Sequence, residues 1–204
     1  MKLLLHTCCA PCLIYPLERL REKCFEVSGF FYNPNIHPFT EYQNRRQAVE
    51  NFIKLLKFQY SMDTPFPSKK LYPLFCETSV NNVEVIFPEY EPAEFFQAVN
   101  LKEKNGRCSI CWSLRLKATA KTAKEKGFTH FSTTLLVSPY QDQELLKNIG
   151  NDISKKEGID FYYEDFRTGF KKAHDIARAQ NIYCQKYCGC LYSEVERCRQ
   201  SPKR

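Results

Sequence analysis

The sequence contains few glycines and no segment of the kind that separates domains. Only 7 of its 204 residues are glycine, and no Ser/Gly-rich linker, charge run, low-complexity stretch or solenoid repeat interrupts it. With 43% hydrophobic and 26% charged residues, the composition is that of a folded protein. A chain of this length can bury a sizeable core without disulfide bridges. We therefore expect a single domain over residues 1–204, with a distinct C-terminal segment from about residue 184.

The sequence also lacks a long hydrophobic run near its start. Leu3–Leu5 is a short apolar stretch that ends at the polar pair His6 and Thr7, whereas a signal peptide needs about 7–15 apolar residues and a membrane span about 20. The expected compartment is therefore the reducing cytoplasm, with no membrane as a partner. The net charge of +7 at pH 7 permits a polyanionic partner such as nucleic acid but does not require one.

Apolar segments of strand length alternate with amphipathic segments of helix length. The predicted strands are Lys2–Thr7, Val27–Tyr32, Val83–Phe87, Phe128–Val137 and Phe161–Tyr163. The predicted helices are Leu13–Lys23, Glu41–Phe58, Pro92–Lys102, Cys108–Lys126, Gln141–Lys156 and Lys171–Asn181. This alternation predicts βαβ units, and hence an α/β fold with a parallel sheet and flanking helices. In such sheets, ligands bind beyond the carboxyl ends of the strands.

Cysteine, by contrast, is abundant. The chain has 11 cysteines, an odd number that counts against complete internal pairing. Eight of them fall into three groups, namely Cys8, Cys9 and Cys12; Cys108 and Cys111; and Cys184, Cys188 and Cys190. Such clusters in a cytoplasmic protein indicate metal binding or redox chemistry. The scattered Cys24, Cys76 and Cys198 are predicted to be ordinary structural thiols.

The first two groups each stand where a helix is predicted to begin. A helix N-terminus stabilises thiolates through its dipole and free N–H groups, and the three-residue spacing of Cys108 and Cys111 places both sulfurs on one helix face. Because 95 residues separate Cys12 from Cys108, far more than the about 15–20 between the halves of a zinc ribbon, the fold would have to assemble the site. Thiolates suit zinc and iron–sulfur clusters about equally. Four of these five thiols suffice for a [4Fe–4S] cluster.

The Cys188-Gly189-Cys190 segment has three interpretations. Its thiols could close a strained, easily reduced disulfide, one of them could approach the metal site, or they could be unrelated thiols in a turn.

Several other polar residues follow predicted strands and are therefore candidates for the ligand-binding edge. Tyr140 and Gln141 could orient a substrate, and Asp165 could ligate a metal, act as an acid or pair with Arg167. His37 lies in a loop, where it could bind an oxygen of the substrate or be merely structural. The pair Arg45 and Arg46 could meet phosphate or lie on an exposed helix face. His6, inside the first strand, is predicted to be a core residue.

Seven motifs occur in order along nearly the whole chain, up to about Ser193. They are His6-Thr-Cys-Cys-Ala-Pro-Cys12, Phe31-Tyr-Asn-Pro-Asn-Ile-His-Pro38, Glu41-Tyr42, Arg107-Cys-x-x-Cys-x-x-x-Arg-Leu116, Thr133-Thr-Leu-Leu-Val-Ser-Pro-Tyr-Gln141, Asp165-Phe-Arg-x-Gly-Phe170 and Tyr187-Cys-Gly-Cys190. Together they resemble the cobalamin-independent epoxyqueuosine reductases. The double-cysteine motif and the Ser-Pro-Tyr-Gln block are specific in combination. Cys184 matches no family cysteine, and Asn100–Gly106 is less acidic and less glycine-rich than the family pattern.

The resemblance implies a HUP-like (Rossmann-like) fold and an oxidoreductase of tRNA processing. The implied reaction, the last step of queuosine biosynthesis, removes the epoxide oxygen of epoxyqueuosine at the tRNA wobble position. The implied cofactors are a [4Fe–4S] cluster and a second mononuclear metal ion, with iron expected, and the electrons come from an unidentified low-potential donor.

The residues carried over from the family are divided as follows. The cluster takes Cys8, Cys9, Cys108 and Cys111, and the second metal ion takes Cys12 with Asp165 nearby. The catalytic set is Cys188 and Cys190 as a redox-active pair, with Asp165, Tyr140 and Gln141.

Two other classes of protein compete with this interpretation. One is a zinc-binding tRNA-modification or thiol-transfer protein, and the other is a cysteine-based disulfide oxidoreductase without a metal. Iron and sulfide analysis of anaerobically purified protein distinguishes the iron–sulfur reductase from both of these classes.

Overall fold

Five parallel strands form the central sheet. The computed structural model describes residues 1–60, 83–100 and 106–200. The strands are β1 (Lys2–His6), β2 (Glu26–Phe30), β3 (Val85–Ile86), β4 (His130–Thr133) and β5 (Asp160–Phe161). They lie in the order β3-β2-β1-β4-β5, and every neighbouring pair is parallel. In the central strand, Leu3, Leu4 and Leu5 are completely buried, as expected for a parallel sheet covered on both faces.

Seven helices flank this sheet among the residues described. They are α1 (Ala10–Glu22), α2 (Phe39–Tyr60), α3 (Pro92–Val99), α4 (Arg107–Glu125), α5 (Gln143–Glu157), α6 (Phe170–Ala179) and α7 (Leu191–Gln200). Their ends follow from local sequence: the side chain of Asp142 accepts a hydrogen bond from the Leu145 N–H at 3.0 Å and caps α5, and Gly158 ends α5 at a φ of 68°. Across the described ranges, no helix combines the length and hydrophobicity that crossing a bilayer requires.

The predicted α/β class, with its parallel sheet and flanking helices, is confirmed. The single domain over residues 1–204 stays a prediction, because residues 61–82, 101–105 and 201–204 lie outside the described part of the chain. Cys76 and the predicted end of the third helix at Lys102 lie outside it too. The segment beyond Tyr183, which sequence patterns did not assign, contains α7.

One predicted strand is too long. Of Phe128–Val137, only His130–Thr133 is extended, and Thr134–Val137 forms a 3-10 helix. The cause is the Thr133 hydroxyl, which accepts a hydrogen bond from the Leu135 N–H at 3.1 Å and so starts a turn. Threonine side chains compete in this way with the backbone pairing of a sheet, whereas the apolar sequence of the segment suits either conformation.

The strand order reverses at β1, and this places a crevice at one edge of the sheet. The chain moves from β1 outward to β2 and β3, and then returns to add β4 and β5 on the other side of β1. Ligands in doubly wound sheets bind at such a switch point, beyond the carboxyl ends of the strands. The two segments that leave β1 and β4 there touch each other, because the Cys8 N–H donates to the Thr134 hydroxyl at 3.1 Å.

Candidate metal and redox centre

Three thiols converge directly after β1. The sulfur atoms of Cys8, Cys9 and Cys12 all lie within 4.8 Å of one another, and all three residues are buried. Cys9 has extended backbone and precedes α1, and Pro11 stands in the first turn of that helix, where its missing N–H costs nothing. The turn from strand to helix therefore brings residues adjacent in sequence to one point at the helix N-terminus, where anionic sulfur is favoured.

These thiols cannot all ionise together. Hydrogen bonds from Cys12 and Cys9 hold the pKa of Cys8 well below its ordinary value, and the Thr134 hydroxyl also donates to the Cys8 sulfur at 3.3 Å. The pKa of Cys9 is raised, chiefly by burial, and that of Cys12 by its hydrogen bonds to Cys8 and Cys9. One thiolate is thus stabilised by two protonated neighbours, and a bound cation would allow all three to be deprotonated.

The arrangement fits a thiophilic metal. A tetrahedral ion with metal–sulfur bonds of about 2.3 Å holds its sulfur ligands about 3.8 Å apart, and the Cys8 and Cys9 sulfurs are 3.6 Å apart. Gln185 adds a polar group at the same point, since its Nε2 donates to the Cys9 sulfur at 2.9 Å and to the Cys12 sulfur at 3.6 Å. The Gln185 Oε1 is buried and has no hydrogen-bond partner in the part of the chain that the structure describes.

The second group of thiols lies at the start of α4. Gly106, with a φ of 84°, leads into this helix. Cys111 is buried against Cys190 in a small apolar cluster with Phe95 and Val99, and burial raises the pKa of Cys111 to about 12. Cys108 is exposed. Among the described residues, only Cys8, Cys9 and Cys12 converge within 4.8 Å, so the division of five thiols between a cluster and an ion stays a prediction.

The Cys188-Gly189-Cys190 segment lies between the two groups. Both of its cysteines carry free thiols. Cys190 belongs to the same apolar cluster as Cys111, whereas Cys188 shares a cavity with Cys8 and Cys12. There the Gln141 amide lies 3.9 Å from the Cys188 sulfur. Cys188 thus lies on the same cavity as two thiols of the first group, and the role of the segment stays a prediction.

Hydrogen bonds to the backbone of residues 187–189 hold the Cys188-Gly189-Cys190 segment in place. The His37 N–H donates to the Gly189 carbonyl at 2.7 Å. Arg45 donates from Nη1 to the Cys188 carbonyl at 3.0 Å and from Nη2 to the Tyr187 carbonyl at 2.9 Å, and its Nε pairs with Glu41 at 2.7 Å. Arg45 is only 1% exposed, so it does not lie on the exposed helix face that was one expectation for it. His37 belongs to the loop after β2, and its observed contact is structural.

A cavity of about 730 Å³ opens above the thiols. Tyr140 and Gln141 line it, together with one acidic residue, Glu196, and six basic ones, namely Arg45, Lys171, His174, Arg178, Lys186 and Arg197. The Tyr140 ring is 84% exposed and meets Phe170 edge to face at 6.0 Å between centroids. Another cavity, of about 640 Å³, is lined mainly by amide side chains of α2 and by residues 180–183, and contains no thiol.

Two predicted candidates have other partners here. Asp165 forms an ion pair with Arg167, whose Nε lies 2.9 Å from the carboxylate, and this contact lowers the pKa of Asp165. Asp165 is not among the residues lining the cavity. His6 is completely buried, and burial lowers its pKa to about 3. Its ring contacts the Thr133 hydroxyl at 2.9 Å and the Tyr32 carbonyl at 3.1 Å, which matches the expected core role.

Sequence reasoning missed two residues of the centre. Arg115 is buried on α4, and its Nε donates to the Cys111 carbonyl at 3.3 Å. Its position seven residues after Cys108 and four after Cys111 places it on the same helix face, a signal that could have found it. Gln185 stands in a segment without apolar periodicity, and nothing in its sequence context points to the thiols.

Comparison with known proteins finds one family. Residues 3–196 match the family described as epoxyqueuosine reductase QueH. Relatives named epoxyqueuosine reductase QueH include one from Dehalococcoides mccartyi, 35% identical over 96% of this chain and 94% of its own, and one from Thermotoga maritima, 34% identical over 95% and 91%. A third, from Staphylococcus aureus, is 32% identical over 96% and 76%.

The glycine between the C-terminal thiols provides a test of this packing. Gly189 has a φ of 131°, and a Cβ there would lie 3.0 Å from Ile36 Cγ1 and 3.3 Å from Arg45 Nη1. We expect Gly189→Ala to lower the free energy of unfolding by about 2–3 kcal/mol, because strain and crowding add. Gly127→Ala is the control, since Gly127 also has a positive φ, of 72°, but open space around it, and should cost about 1 kcal/mol. Urea unfolding measures the free energy of unfolding of both variants. Equal losses of stability would contradict the close packing of Ile36 and Arg45 around Gly189.

Proposed function

The chain belongs to the epoxyqueuosine reductase QueH family, and on that premise we propose that it reduces epoxyqueuosine in tRNA to queuosine. The observation that carries this proposal is the convergence of the buried Cys8, Cys9 and Cys12 sulfurs next to a cavity with a basic rim, which Cys8 and Cys12 line. Thiolates at the base suit a redox metal centre, and cations at the rim suit a phosphate backbone.

The reaction defines what the site must supply. Both C–O bonds of the epoxide break, a C=C bond forms, and the oxygen leaves as water, which consumes two electrons and two protons. A bound iron–sulfur cluster would supply electrons singly, and a second metal ion would polarise the epoxide oxygen as a Lewis acid. The chain itself would bind the modified base, keep bulk water away from the thiols and deliver protons.

We assign the cluster to Cys8, Cys9, Cys108 and Cys111, and the second ion to Cys12. The first group also allows another assignment of its thiolates, in which Cys8 and Cys9 bind one metal ion. Their sulfurs are 3.6 Å apart, which suits two ligands of a single ion. Two thiolates of one [4Fe–4S] cluster bind different iron atoms and lie farther apart. Asp165 becomes available to the second ion only if it releases Arg167.

The Cys188 and Cys190 thiols are the proposed redox-active pair. Oxidation of two thiols to a disulfide releases two electrons and two protons, which is the amount that one epoxide consumes. Cys188 lines the cavity and Cys190 belongs to the apolar cluster of Cys111, so the pair lies between the substrate side and the second thiol group. The low-potential donor would then restore both thiols.

The cavity supports recognition of a base turned out from an RNA loop. Single-stranded bases are typically held on aromatic rings and by contacts to their edges. Tyr140 presents an exposed ring supported by Phe170, and the Gln141 amide points into the same cavity. The rim residues Lys171 and Lys186 are exposed and stand where the flanking phosphates would pass.

Iron content tests the ligand assignment. We expect Cys9→Ser and Cys108→Ser to lose most iron and inorganic sulfide, because neither thiol group alone supplies four ligands. Cys24→Ser is the matched control, since Cys24 is exposed and precedes β2 at the opposite edge of the sheet. Cys12→Ser should keep about four sulfides per chain while losing iron. Full cluster absorbance in Cys108→Ser would reject the assignment, and zinc without sulfide in the wild type would favour a zinc protein.

Salt dependence tests the basic rim. We expect the double variant Lys171→Ala/Lys186→Ala to bind tRNA more weakly and to reduce the slope of log K against log salt by about 1 per lysine. The control is Lys121→Ala/Lys126→Ala, which removes the same charge from exposed positions at the far end of α4. Filter binding at several salt concentrations measures both. Equal slopes in the two double variants would place the tRNA elsewhere.

The decisive assay is the reaction itself. We expect the iron-reconstituted protein, given a low-potential reductant under argon, to convert epoxyqueuosine in tRNA to queuosine without added cobalamin. Mass spectrometry of the digested nucleosides should show the loss of one oxygen atom and no transfer of carbon. Cys190→Ser should retain the cluster but lose multiple turnover. If protein with an intact cluster leaves the epoxide unchanged, the proposal is wrong.

A further inference from the structure

Arg115 is a buried cation without an anionic partner among the described residues. It is 1% exposed, its Nε donates only to a carbonyl, that of Cys111, at 3.3 Å, and its Nη2 is buried without a hydrogen-bond partner in the same part of the chain. Arg45 is equally buried but forms an ion pair with Glu41 and donates to two carbonyls. Of these two buried arginines, the structure therefore gives a counter-charge only to Arg45.

Burying an uncompensated charge is unfavourable, so an anion belongs next to Arg115. The candidates are sulfur atoms, because Cys108, Cys111 and Arg115 share one face of α4. The hydrogen bond from the Arg115 Nε to the Cys111 carbonyl, at 3.3 Å, already holds the guanidinium beside the second thiol group.

A substrate phosphate is not the missing anion. The Arg115 side chain does not line the cavity that holds Cys8, Cys12 and Cys188, and its exposure of 1% leaves no surface for a ligand that arrives from solvent. The anion must therefore be part of the protein interior once the metal centre is assembled.

We propose that Arg115 is the counter-charge of the thiolate-bound iron–sulfur cluster and that it raises the reduction potential of that cluster. This inference rests on the cluster assigned under the proposed function. Four thiolates around an oxidised [4Fe–4S] core carry a net charge of about 2−, and one-electron reduction makes it about 3−. A fixed cation stabilises the more negative state more strongly, so reduction becomes easier while the donor and the substrate stay unchanged.

The first test is a reversal of stability between two forms of the protein. In iron-free protein, Arg115→Met should raise Tm above that of the wild type, because it replaces an unpaired buried charge with an apolar side chain. In reconstituted protein the same variant should have the lower Tm. An arginine that serves only for packing would give a lower Tm in both forms, and that result would overturn the proposal.

The second test is a redox titration of the reconstituted protein, followed by the spectrum of the reduced cluster. At a fixed potential, Arg115→Gln should lower the ratio of reduced to oxidised cluster about tenfold, which corresponds to about 59 mV for a one-electron couple. Arg115→Lys should restore most of the ratio because it restores the charge. Arg46→Gln removes the same charge from an exposed position and should leave the ratio unchanged.

The outcomes separate this inference from the proposed function. A wild-type protein that binds no iron and sulfide would defeat the cluster assignment itself. If the wild type binds a cluster and Arg115→Gln has the same reduction potential, only the proposed role of Arg115 is refuted. If Arg115→Gln folds but does not load a cluster while Arg115→Lys does, the requirement for a positive charge at this position is supported.

Discussion

Three sulfur atoms within 4.8 Å of one another in a buried turn form the constraint on which the rest of the site depends. Hydrogen bonds from the protonated Cys9 and Cys12 thiols stabilise a single thiolate at Cys8 and lower its pKa. Deprotonated, they would repel each other strongly in a medium of low polarity. The strand-to-helix turn after β1 is therefore suited to binding a metal ion, whose charge would offset this repulsion. The neighbouring Thr134 and Gln185 donate hydrogen bonds to the sulfur atoms.

The fold makes this crowding possible because β1 stands at the centre of the sheet. With β2 on one side and β4 on the other, the carboxyl end of β1 is the point from which the helical layers diverge. The helix that leads into β4 runs antiparallel to that strand, so the N-terminus of α4 returns to the same edge and brings Cys108 and Cys111 there. Two cysteine groups far apart in sequence thus begin helices at the same edge of the sheet.

The fold could be predicted largely from the sequence, whereas the centre could be predicted only in part. Leu3–Leu5 and the alternation of strands with helices indicated a parallel sheet because a strand buried on both faces must be apolar throughout. The same reasoning overextended β4, since the apolar side chains of Leu135 and Leu136 suit a 3-10 helix as well as a strand. Cysteine spacing indicated the thiol groups because α1 and α4 begin at them. It could not reveal Gln185 or the hydrogen bonds of Arg45, because those depend on where the segment before α7 folds back.

That returning segment gives the centre its organisation. Arg45 and the loop after β2 hold the backbone of residues 187–189. Cys190 belongs to the apolar cluster of Cys111, whereas Cys188 lines the cavity with Cys8 and Cys12. The buried charges follow the same logic, because Arg45 is neutralised by Glu41 and fixes the backbone, whereas Arg115 keeps its charge available to sulfur.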